Sequence, residues 1–163
     1  MHFGRTDFVL QMSKQHIDKL PSTDPNKALL GVLMAFLVCV SFYSEMEAKI
    51  IAIVKRRLDT AGDVKVANLI ANTQSRIFSR LNKSDLAECA SLFGVDVRAA
   101  FDVTVDARDV TFYGNLITQR HSVAHSQKGE LLDWTTATAS LGDVEEWLSA
   151  AERLLTAFEA SIQ

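Results

Sequence analysis

Glycine and proline are scarce in this chain, seven and two among 163 residues. A meander of short strands depends on frequent turns built from those residues, so their shortage argues against an all-β fold. Cysteine is scarcer still: Cys39 and Cys89 stand far apart in apolar, helix-like surroundings. That excludes a disulfide framework and points to reduced packing residues in a cytoplasmic protein. Charge of one sign is also lacking, with a formal net charge of −3. Contact with a polyanion must therefore come from a local patch and not from a global basic field. The opening Met-His-Phe-Gly-Arg-Thr-Asp shows no basic start leading into an apolar core, so no signal peptide is expected. Repeats, low-complexity tracts and Cys-x-x-Cys pairs are absent from the sequence as well.

What remains is a chain 48% hydrophobic, long enough for one sizeable core and too short for two comfortable ones. We expect an all-α protein and a single domain spanning residues 1–163, built from about five to six helices. Phe8, Val9, Met12 and Ile17 recur at helical spacing in a leading helix that stops at Pro21. Asp24 before Pro25 is a helix start, a side-chain cap followed by proline in the first turn. From Ala28 to Val40 every position is apolar or glycine. A membrane span needs about 20 such residues, and the run gives way to Glu45, Glu47 and Lys49. A central helix surrounded by others is therefore expected, ending in the basic triplet Lys55, Arg56 and Arg57.

A third helix is expected from the recurrence of Val66, Leu69, Ile70, Ile77 and Leu81, with Arg76, Arg80 and Lys83 as a basic ridge at the same spacing. Such a ridge reads as a solvated face or, more sharply, as a track for phosphates. A turn at Asn82 to Ser84 leads to a short helix over Asp85 to Phe93, closed by Gly94. Val103, Thr104 and Val105 have strand character but no pairing partner, so a short helix and connection is expected there. Asp106 with Asp109 then starts the next helix in the manner of a capping box, and Ser140 with Asp143 opens the last. Between them, Ser126 to Thr138 reads as a loop. The final helix carries a clear apolar stripe from Leu141 and Val144 through Phe158 to Ile162.

The chemistry-bearing stretch is Asn115 to Lys128, where Arg120, His121 and His125 crowd together. At about 100° per residue, Val110, Tyr113, Leu116, Ile117 and Ala124 form one stripe, and Arg120 falls in its middle. An unpaired guanidinium is costly to bury, so Arg120 requires an acidic partner, a subunit interface or an anionic ligand. Glu45 or Glu47, beside Phe42 and Tyr43, is the expected acidic partner, Glu47 as a supporting residue of the site. A plainer reading makes His125 a cap or a satisfied core residue and puts Arg120 in an ion pair within the chain. A third reading takes His121 and His125 as a metal pair one turn apart. Zinc hydrolases with that spacing place a glutamate between the histidines, whereas Ser122, Val123 and Ala124 fill the gap here.

Arg120 and His125 spell R-x-x-x-x-H, and Arg120, Ala124 and His125 match a segment of the form R-N-x-x-A-H. With the long central helix before it, and a loop and an amphipathic helix after it, the chain resembles the HEPN superfamily. His121 stands where that family commonly has asparagine, a departure that keeps a polar side chain. The resemblance implies a compact helical bundle and, in many members, a metal-independent ribonuclease of toxin–antitoxin, phage-defence or RNA-processing systems. It implies no cofactor and no metal, RNA as substrate, and a homodimer that brings two copies of the motif together. An antitoxin or a nucleotidyltransferase is a further partner it suggests. By the same resemblance Arg120, His125 and His121 are the catalytic candidates. Ser122, Ser126 and Lys128, with Arg76 and Arg80, are expected to bind substrate. A second class of function keeps the bundle as a non-catalytic adaptor, a nucleotide-binding module or a partner subunit of a nucleotidyltransferase.

Overall fold

The computed structural model describes residues 2–60, 62, 81–124 and 139–163, with 121–124 as backbone only. Among the described residues the chain is all-helical: α1 (Gly4–Asp18), α2 (Lys27–Thr60), α3 (Lys83–Ser91), α4 (Val95–Thr104), α5 (Ala107–Ala124) and α6 (Leu141–Ile162). The expected helix over Val66 to Leu81 lies outside the described residues except for Leu81 itself. The expected loop over Ser126 to Thr138 lies outside them altogether.

Local signals set most of the helix starts. Asp24 caps the entry to α2, its Oδ1 accepting from Asn26 N–H at 2.8 Å. Ser140 and Asp143 form the reciprocal box at the head of α6. Asn82 and Asp85 form a second such box, so α3 begins at Lys83 where a turn was expected. Gly94 does not close α3 but joins it to α4 as the residue before its first turn, at φ 144°. A Cβ there would lie 2.5 Å from Asp96 Oδ1, which explains the glycine. The Val103 and Val105 region is the end of α4, and no strand among the described residues offers its backbone an alternative to helical hydrogen bonds.

One contiguous core joins these helices. Phe3, Phe42 and Tyr113 meet edge to face, with ring centres 4.9 and 6.4 Å apart, and Phe101 meets Phe158 at 5.8 Å. Helix α6 buries Val144, Leu148, Ala151, Leu154, Leu155, Phe158 and Ile162, the stripe expected from its periodicity. Tyr113 is fully buried, and its hydroxyl donates to the Leu81 carbonyl. That bond holds Leu81, which carries the left-handed φ of 54° that side chains rarely adopt. Cys39 and Cys89 are free and buried, and burial pushes both thiols up to about 12, so neither is poised as a nucleophile.

Helices α1 and α2 run antiparallel, since Thr6 bonds to Glu45 at one end and Lys27 Nζ to the Leu20 carbonyl at the other. Glu45 accepts Thr6 N–H at 2.9 Å and Thr6 Oγ1 at 2.8 Å, satisfying the start of α1 from a neighbouring helix. Burial opposes the charge on this carboxyl. The bonds from Thr6 and Arg5, with Lys49 nearby, outweigh that and hold it below its ordinary value. A depressed carboxyl stabilises the fold above its unfolded pKa and loses that contribution as pH falls through the folded value. Glu45→Ala should therefore destabilise by about 1–3 kcal/mol at neutral pH. The gap between variant and wild-type melting temperatures should narrow below about pH 4, as read by circular dichroism; a gap independent of pH would contradict this account.

The central helix departs from expectation in one respect. By length and composition α2 is long and apolar enough to cross a membrane, yet only 33% of its most apolar window is buried. Helices α1, α5 and α6 pack on it, and Ala35, Val38, Cys39, Phe42 and Met46 face them. Leu29, Leu33, Leu37 and Val40 are exposed, Leu37 by 53%. At three and four residue steps they form a continuous stripe on the opposite side, so α2 is not surrounded by the described helices.

Candidate active site

Helix α5 delivers the candidate arginine. Asp106 opens it, its Oδ1 accepting from Arg108 N–H at 2.7 Å. Asp109 is not the second half of a capping box as expected. It is buried and pairs with Arg153 of α6 through two bonds of 2.9 and 2.6 Å. That bidentate pair fixes how α5 lies on α6. From it the stripe of Tyr113, Leu116 and Ile117 enters the core, and the next turn brings Arg120 out to a half-buried position against α2.

There the guanidinium carbon of Arg120 lies 4.3 Å from the centre of the Tyr43 ring. An aromatic face is the contact this arginine makes within the described chain, and no carboxylate pairs with it among the described residues. Glu45 is turned toward α1, as its bonds to Thr6 require. Glu47 is exposed and makes no ion pair with Arg120, but it acts on the same phenol. Burial raises the Tyr43 hydroxyl above its ordinary value, Arg120 opposes that, and Glu47 and Asp85 add to it. A guanidinium and a phenol thus meet on one flank of α2 and α5, with two carboxylates near enough to act on that phenol. Val40, Tyr43 and Glu47 follow one another at helical steps, so this flank borders the exposed stripe of α2.

His121 and Ser122 continue α5 as helical backbone, one and two residues past Arg120. His125, Ser126 and Lys128, together with Arg76 and Arg80, lie outside the described residues. Sequence reasoning did not assign Tyr43 a role. Its only signal was an aromatic residue at the polar end of the apolar run, beside Phe42.

A separate group of metal-type ligands stands at the start of α1, with His2 Nδ1 2.9 Å from Asp7 and 3.5 Å from Glu152. Glu152 also accepts Phe3 N–H at 3.2 Å, so this group acts as a clasp for the first turn of α1. Comparison with protein families, with characterised proteins and with solved structures finds no match to this chain.

Proposed function

We propose that this chain is a metal-independent endoribonuclease of HEPN type, active as a homodimer. The observation that carries the reading is an arginine at the end of a buried helical stripe, unpaired with any carboxylate among the described residues. It borders an apolar face of α2 that the described helices leave open. A guanidinium in that position is available to an anion, and a second copy laid against the stripe encloses the site. The R-x-x-x-x-H spacing of Arg120 and His125 supplies the acid–base partner.

In the proposed reaction His125 takes the proton of a ribose 2′-hydroxyl. The 2′-oxygen bonds to phosphorus as the bond to the 5′-oxygen breaks, and a protonated imidazole returns a proton to that leaving oxygen. Arg120 holds the phosphate and neutralises the charge that grows on its oxygens. We assign His121 and Ser122, one and two residues after Arg120 in the sequence, to positioning. Products are a 2′,3′-cyclic phosphate and a 5′-hydroxyl end. RNA and DNA oligonucleotides of one sequence, incubated with purified protein and excess chelator, test the reading. Cleavage of RNA alone, leaving 5′-hydroxyl ends, is expected. Intact RNA, or cutting that the chelator stops, would remove the proposal, and tight RNA binding without cleavage would assign the bundle to the adaptor class.

A further inference from the structure

We propose that Tyr43 is a positioning residue for Arg120, its ring holding the guanidinium where a substrate phosphate arrives. The inference rests on the ribonuclease reading above and adds to it a residue of α2 that the motif does not contain. Arginine carries a long, rotamer-rich side chain, and holding it in place before substrate binds removes an ordering cost from the reaction. A carboxylate partner would hold Arg120 too, but it would occupy the donor fork and cancel the charge. The face of an aromatic ring attracts the cation and takes none of its N–H donors. The contact at 4.3 Å, with no carboxylate paired to Arg120 among the described residues, fits the second arrangement. The ring has a firm base, because Tyr43 directly follows the fully buried Phe42 within α2. Burial, together with Glu47 and Asp85, keeps its hydroxyl protonated at neutral pH, so the ring meets the cation as a neutral phenol.

The test compares kcat and KM of wild type, Tyr43→Leu, Tyr43→Met and Tyr43→Phe on one RNA oligonucleotide, after Arg120→Ala has shown that cleavage depends on the arginine. Removing the ring should lower kcat by about 10-fold with KM little changed, since a misplaced guanidinium fails where charge develops. Tyr43→Phe should restore most of that loss, because the ring and not the hydroxyl makes the contact. Tyr43→Met keeps the comparison open should the leucine variant fold poorly. Wild-type kinetics in the ringless variants would overturn the inference while leaving the ribonuclease reading intact, as would a phenylalanine variant no better than leucine. RNA cleavage that is absent, or that survives Arg120→Ala, would overturn both together.

Discussion

Arg120→Ala should lower kcat/KM for RNA cleavage by about 10²–10³-fold, the usual loss when one preorganised donor to developing negative charge is removed. Its effect on stability should be small by comparison. Arg120 is half-buried and its contact is the ring of Tyr43, worth about 0.5–2 kcal/mol. Arg120→Lys keeps the charge but not the planar fork, and should fall between alanine and wild type. His125→Ala should cost about 10²–10⁴-fold, the range for a positioned acid–base group. The double variant should be little worse than the more damaging single one, since the two groups act on one transition state. Single-turnover cleavage of a labelled oligonucleotide, with thermal melts of each variant, measures all of this. An Arg120→Ala protein that folds and cuts at the wild-type rate would end the proposal.

Leu33→Glu combined with Leu37→Glu should convert a dimer into a monomer. Leu33 and Leu37 are 38% and 53% exposed, so covering what remains contributes about 1 kcal/mol each, roughly half the value for a whole side chain, and two carboxylates facing an apolar partner surface would be desolvated without compensation. Both side chains are exposed in the isolated chain, so the fold itself should tolerate the change and the melting temperature of the monomer should hold. Cleavage should fall with the mass if, as proposed, a second copy laid on the stripe encloses the site. Sedimentation equilibrium with a parallel cleavage assay reads both quantities. A wild type that stays monomeric at high concentration would remove the dimer from the proposal. Co-flotation of that monomer with lipid vesicles, abolished by the same pair of substitutions, would assign the stripe to a bilayer, which the length and hydropathy of α2 allow.

Caps and periodicity were legible in the sequence wherever the signal spans only a few residues. The Ser140 and Asp143 box, the Asp24 cap and the stripe of α6 all appear in the structure as their residues imply. Asn82 carried an equally good signal, but Lys83 and Ser84 after it read as turn residues, and the box with Asp85 was missed. Asp109 shows the converse error. Its spacing from Asp106 suits a box, yet the guanidinium of Arg153 offers it two charge-assisted bonds, which a backbone N–H at the helix start cannot match. Glu45 suits Arg120 by its place in the sequence, but its carboxylate accepts two bonds from Thr6 at the start of α1 instead.

The sequence by itself determined the helical architecture of the described chain, most of its helix starts and the anomaly of a cation in the apolar stripe of α5. Those features arise from interactions within one or two turns, where residue order and geometry are nearly the same thing. Only the tertiary structure decided which groups meet: Glu45 with Thr6 across 39 residues, Asp109 with Arg153 across 44, and the ring of Tyr43 with Arg120. It also decided which side of α2 stays open, because an evenly apolar helix carries no mark of where its neighbours will stop. Among the described helices, α1, α5 and α6 pack against one side and leave the other exposed.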